Sequence, residues 1–187
     1  MKKYLALIFV GCFVFIHTAV PSYAADETLW DIVSKRPDVE ITEKHGVKTI
    51  TLEGDIRISD DGTAVDKSGL GSLKCALMVY TEINNLLHAC YEDSHENYKK
   101  SYGEVVSRIE DFVVENSLTP VTKEDVRAEI QKIYDAHNEG KTKDVLCLSE
   151  FLPPEDAVLD SVGVKKLNKS VDKLLSVPRA PVMQPCL

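Results

Sequence analysis

Apolar positions recur with a helical period over two consecutive stretches, Ser72 to Asn116, and with a period of two in the segment before them. At about 100° per residue, Cys75, Ala76, Val79, Ile83, Leu86, Leu87 and Cys90 fall in a stripe about 120° wide, while Lys74, Thr81, Asn84, Asn85 and His88 fall outside it. This predicts a central helix that begins between Ser68 and Ser72 and runs to Tyr91 or beyond. Tyr102, Val105, Val106, Ile109, Phe112 and Val113 follow the i, i+3, i+4, i+7 template and predict a second helix, ended by Asn116 to Pro120.

On the N-terminal side, Leu29, Ile32 and Val33 give a short helix over 28–34, which Pro37 stops. Then Val39 and Ile41, Ile50 and Leu52, and Ile56 and Ile58 alternate with polar residues, with Glu43 to Gly46 and Glu53-Gly54 as turns. That pattern is a hairpin or three-stranded antiparallel meander with one buried face, closed by Asp60-Asp61-Gly62. On the C-terminal side Thr122 and Asp125 form a capping box ahead of Val126, Ile130, Ile133 and Tyr134, and Gly140 is the stop of this third helix. Cys147 sits in one helical turn before Pro153-Pro154, and Val164, Leu167, Val171, Leu174 and Leu175 make a last helix with its lysines outside. Pro178, Pro181 and Pro185 predict an extended tail over 177–187. The expected fold is mainly α: a four- to five-helix, bundle-like domain with a small N-terminal antiparallel β-hairpin, stapled by disulfides.

The first residues change the picture of where the chain works. Lys2 and Lys3, an apolar run from Tyr4 to Ile16 and Ser22-Tyr23-Ala24 match the parts of a secretory signal peptide, which places cleavage after Ala24 and leaves a single domain over 25–187. The apolar run is shorter than the roughly 20 residues a membrane span needs, so no stable anchor is expected after cleavage. The short Lys-Lys opening points to a bacterial periplasmic or secreted protein. Losing two lysines takes the net charge from −8 to −10, which disfavours nucleic acid and anionic membrane surfaces as partners.

Of five cysteines, Cys75, Cys90, Cys147 and Cys186 remain after processing, with no Cys-x-x-Cys among them; in an oxidising compartment an even set reads as disulfides. Cys75 and Cys90 lie 15 residues apart, about 22 Å along one unbroken helix, beyond the roughly 4.4–6.8 Å that a disulfide allows between Cα atoms. Two pairings survive. Antiparallel packing of short-linked helices favours Cys90 with Cys147, which leaves Cys75 with Cys186 as the second pair. Cys186, one residue from the end, is left either to staple the tail or to join two copies of the chain.

Candidate chemistry is sparse. His88, Glu92 and His95, with Asp93 and Glu96 beside them, would share one face of a helix that continued this far, at a spacing suited to zinc or copper. The same residues also suit a solvated polar face near a helix end. Ser68-Gly69-Leu70-Gly71-Ser72 precedes a helix and reads as a flexible connection rather than an anion site. Trp30 and the tyrosines read as packing residues, and the lysine-bearing last helix as packing by its leucine face. No Gly-x-Ser-x-Gly or phosphate loop occurs, no cofactor is implied, and no catalytic residue is assigned. The expectation is a non-enzymatic binding or accessory protein of the inhibitor, immunity or secretion-accessory type, working through a protein surface on a partner in the cell envelope. The alternative is a metal-binding protein or hydrolase using His88, Glu92 and His95.

Overall fold

The computed structural model describes residues 28–91, 94–149, 152–154 and 159–186. The expected signal peptide, 1–24, lies outside them, as do Glu92 and Asp93. Among the described residues there are six helices and four strands: α1 (Leu29–Ser34), β1 (Ile41–Lys44), β2 (Val47–Leu52), β3 (Ile56–Ser59), β4 (Ala64–Asp66), α2 (Leu73–Cys90), α3 (Glu96–Asn116), α4 (Lys123–Asn138), α5 (Lys143–Leu146) and α6 (Ser161–Leu174). The chain is mainly helical, but the expected hairpin is a four-stranded meander in the order β1-β2-β3-β4, antiparallel throughout. The helix count exceeds five because two helices are single short turns of chain, α1 and α5.

Local sequence explains most of the boundaries. Thr28 and Asp31 form one reciprocal capping box at α1, and Thr122 with Asp125 another at α4, each satisfying backbone N–H groups that a helix start leaves without partners. In the sheet, Ile50 pairs with Ile58 and Leu52 with Ile56, so the period of two puts these side chains on one face, where Ile50, Ile56 and Ile58 are fully buried. Val33 and Trp30 of α1 and Ala180 and Val182 of the tail cover that face. Ile41, expected to be buried, lies on the outer strand and stays exposed. The strand missed in the sequence, β4, is only three residues long with no readable alternation. It is defined by pairing to β3 on one side and by a parallel bridge from Val65 to Gln184 on the other.

The second core joins four helices. Leu73 and Leu77 of α2, Val105, Ile109 and Val113 of α3, Val126 and Ile130 of α4, and Val171 and Leu174 of α6 form it. Helix α2 is therefore apolar over more of its circumference than its sequence stripe suggested, because Leu73 and Leu77 face α3 and α4 while Cys75, Leu86 and Leu87 are buried as well.

The tail unites the two cores. Arg179 is buried and reaches four partners: Nε donates to Asp66 Oδ2 (2.7 Å), one terminal nitrogen to the Leu174 and Val177 carbonyls (2.8 and 3.1 Å) and the other to the Gly71 carbonyl (2.8 Å). Asp66 Oδ1 in turn accepts from the Ser68 backbone N–H and hydroxyl. Gly54, at φ +76°, lets the tail pass, since a Cβ there would overlap Arg179 Cβ and the Pro178 carbonyl oxygen. Beyond Arg179 the Val182 carbonyl accepts from Ser72 Oγ and from the Lys74 N–H, and the chain ends on a disulfide from Cys186 to Cys75 (Cα–Cα 5.4 Å). The other disulfide joins Cys90, the last residue of α2, to Cys147 at the end of α5 (Cα–Cα 5.6 Å). Cys186 is thus taken up within the chain, and its thiol is not on offer to a second copy.

Candidate functional site

The polar residues singled out in the sequence are not gathered into one place. Helix α2 ends at Cys90, Tyr91 leaves helical geometry at φ −123°, ψ 65°, and α3 begins only at Glu96 after His95 in the left-handed region at φ 61°. The single helical face on which His88, Glu92 and His95 were to be aligned is therefore interrupted. Glu92 lies outside the described residues, His88 is exposed on the last turn of α2, and His95 is engaged elsewhere. No cluster of three metal-ligating side chains occurs among the described residues.

Both ring nitrogens of His95 are engaged: Nε2 donates to the Pro154 carbonyl at 3.2 Å, and Nδ1 lies 2.8 Å from the Ser94 hydroxyl. The ring stacks on Tyr91 with centroids 4.0 Å apart, and the Tyr91 hydroxyl donates to the Pro153 carbonyl at 2.5 Å. Both ring nitrogens are committed, and the cluster clasps the 152–154 segment against the α2–α3 junction. Glu96 bonds Lys99 at 2.8 Å, and that hydrogen bond and charge hold the Glu96 carboxyl below the ordinary carboxylate range.

The glycine-bearing connection before α2 is likewise used structurally. The Gly71 carbonyl receives Arg179, Ser72 caps the Cys75 N–H, and the tail takes the Lys74 N–H, so the start of α2 is filled by the protein's own groups. The aromatic residues are dispersed: Trp30 packs with the sheet, while Tyr80 and Tyr102 pair at 6.0 Å between α2 and α3. On α6, Val171 and Leu174 pack inward and Arg108 of α3 holds Asp172 at 2.5 Å.

A site that sequence reasoning missed lies on the side of α2 assigned to solvent. Helices α2, α3 and α4 enclose a cleft of about 470 Å³. Thr81, Asn84 and Asn85 line it from α2, Gly103, Ser107 and Glu110 from α3, and Arg127 and Gln131 from α4, over an apolar floor that includes Leu77, Val106 and Ile130. Glu110 is buried, and Arg127 grips both its oxygens at 2.8 and 2.7 Å; this ion pair holds the Arg127 guanidinium above its ordinary pKa. Lys74 and Glu129, at 2.8 Å, tie α2 to α4 beside it. Asn84 Oδ1 is buried with no hydrogen-bond partner among the described residues. Burial of the neighbouring Tyr80 and Tyr102 raises both phenol pKa values above 10.0.

Two residues could have marked this cleft in advance. Asparagine and glycine are both unfavourable inside helices, and here Asn84 in mid-α2 faces Gly103 in α3: a Cβ on Gly103 would lie 3.8 Å from Asn84 Oδ1. Comparison with family models, curated proteins and solved structures gave no match for this chain.

Proposed function

We propose that the protein is an exported, non-enzymatic binding or accessory protein that acts through a fixed apolar projection on a partner in the bacterial cell envelope. The observation that supports this reading is Leu148, 84% exposed, beside Val145, 55% exposed. Large apolar side chains held in water are characteristic anchors of protein contacts when their backbone is rigid. Here rigidity comes from Cys147, the residue before Leu148, which is bonded to the end of α2, and from the Tyr91 and His95 hydrogen bonds that hold 153–154. Export is supported by the charged, apolar and small-residue pattern over residues 1–24 and by two disulfides, which persist in oxidising compartments. No helix among the described residues is long and apolar enough to cross a membrane.

A photo-crosslinking residue placed at 148 in the producing cell tests the reading. The expected result is one discrete crosslinked envelope protein, lost when Val145→Glu is added and absent when the crosslinker stands at Asp135 on α4. Equal capture from positions 148 and 135, or none from 148, would overturn it. N-terminal sequencing of the protein recovered from the envelope should begin at Ala25.

A further inference from the structure

The chain treats the two edges of its sheet differently. At β4 the tail closes the edge: Val65 bridges Gln184, and the Asp66 N–H donates to the Gln184 carbonyl at 2.8 Å. At β1 all four residues are exposed, and among the described residues β2 is the only strand that pairs with it. The direction of its backbone groups follows from its neighbour. The Lys48 carbonyl accepts from the Asp60 N–H on the β3 side at 3.0 Å, so by alternation Val47 and Thr49 turn their N–H and C=O groups to β1, where they meet Lys44 and Thr42. Ile41 and Glu43 therefore point theirs off the open edge. The two-residue turn His45-Gly46, with φ of 53° and 81°, fixes β1 in this register.

An edge with outward N–H and C=O groups at alternate residues can accept another strand, and its side chains decide which. A second copy of β1, antiparallel to the first about a two-fold axis perpendicular to the sheet, keeps each face of the sheet on its own side, so the pairing must centre on a residue. Centred on Thr42, it sets Ile41 opposite Glu43 of the second copy as a hydrogen-bonded pair on both sides of the axis. The same register sets the exposed Glu40, on the outer face, opposite Lys44 of the second copy, again on both sides. Ile41, 47% exposed at the margin of the buried face, then lies diagonally beside its own copy. Centring on Glu43 would face two like charges, which is unfavourable. Centring on Ile41 would offer Lys44 only Asp38, which Arg36 already holds at 2.6 Å. We propose that β1 is the site of self-association, on which a second copy of this chain adds its β1 antiparallel about Thr42, with reciprocal Glu40–Lys44 ion pairs selecting the register. Two such short strands cover far less than the roughly 1,200 Å² of a stable interface, so the dimer is reversible and set by protein concentration.

Sedimentation equilibrium of the disulfide-bonded chain from about 10 μM to about 1 mM tests this. The mass should rise with concentration from monomer towards dimer. Glu43→Pro removes an outward N–H and none that β2 receives, so it should abolish the dimer and keep the monomer's fold. Glu40→Lys and Lys44→Glu should each weaken dimerisation at least about threefold, and the two together, which restore opposite charges across the axis, should recover it. Facing Thr42 residues put their Cα atoms about 4.5 Å apart, within disulfide reach, so Thr42→Cys should link two copies on oxidation much faster than Ile41→Cys. A chain that stays monomeric throughout, a dimer unaffected by Glu43→Pro, a double charge reversal no better than the single ones, or faster linking through Ile41→Cys would each overturn the proposal. If Glu43→Pro fails to fold, the charge exchange and the parent's own mass still decide it.

Discussion

At one end of α2 the Arg179 guanidinium meets Asp66 and three backbone carbonyls, whereas two-thirds of the way along the same helix Asn84 Oδ1 is just as well shut from water and meets no partner among the described residues. The contrast separates two uses of buried polarity. Around Arg179 every group serves another part of the chain: the end of α6, the turn before α2, the last strand and the tail. Such a fully matched network is costly to break and leaves nothing for a ligand to improve. Around Asn84 the protein tolerates an unmatched acceptor, a helix-interior asparagine and a helix-interior glycine in one place. There α2 and α3 approach so closely that a Cβ on Gly103 would lie 3.8 Å from Asn84 Oδ1.

The largest effect expected from breaking this contrast is at the matched end. Arg179→Met leaves Asp66 buried without its cation and three carbonyls without donors, and should cost about 3–5 kcal/mol in urea denaturation. Adding Asp66→Leu should recover part of that loss, because the uncompensated charge is then gone. If Arg179→Met alone costs less than about 1 kcal/mol, the network is not the link between the two cores. Next in size is the tail's covalent closure: replacing Cys75 and Cys186 together by serine opens a 111-residue separation and should cost about 2–5 kcal/mol. Hydrogen exchange should then rise in Arg179 to Val182 before it rises in α3. Exchange that rises everywhere at once would show that the tail is not a separable clasp.

How far this contrast could be read from the sequence depends on the range of the interactions behind it. Thr122 and Asp125 declare the start of α4 within three residues, and the alternation from Ile50 to Ile58 declares a one-sided sheet, because both are local patterns. Helix geometry likewise separates Cys75 from Cys90 on paper, since a continuous helix has a fixed rise. What chooses a cysteine for Cys186 is the course of the tail, and that course depends on Arg179, whose partner Asp66 is 113 residues away. No periodicity signals such a contact, and a lone arginine among prolines looks solvent-exposed. Helix α2 shows the same limit at its other face. Thr81, Asn84 and Asn85 are polar and read as a wet surface, but α4 folds back over them, tied by Lys74–Glu129 and Arg127–Glu110. The break that takes His95 off the face of α2 was illegible for a different reason, although α2 itself ends within one residue of the expected Tyr91. Neither glycine nor proline marks it, and the left-handed His95 is held by a ring stack and by contacts to residues about 60 positions on.

At the unmatched end the effect should be smaller and opposite in sign. Asn84→Leu removes an acceptor that lacks a partner and adds apolar area to a seam containing Leu77, so it should stabilise the protein by about 1 kcal/mol. A loss of more than about 1 kcal/mol would mean that Asn84 serves the fold as Arg179 does.

The smallest effect concerns how dry that seam is. Tyr80 and Tyr102 lie on α2 and α3 one turn from Asn84 and beside Gly103, with ring centroids 6.0 Å apart. Burial is the first cause that lifts both phenols above 10.0, and at Tyr102 the charge of an ionised Tyr80 adds to it. A raised pKa means the folded state holds its proton longer than the unfolded one. Stability from these groups is therefore complete below about pH 10, the unfolded value, and declines as pH rises through the folded values. Absorbance at 295 nm should show tyrosinate forming in two stages, the exposed rings first, with the late stage reduced in Tyr80→Phe and reduced again in Tyr80→Phe/Tyr102→Phe. Filling the cleft with Gly103→Leu should delay the late stage further, because it excludes water from the same seam. If the Gly103 variant titrates like the parent, the cleft and the tyrosine pair are separate environments.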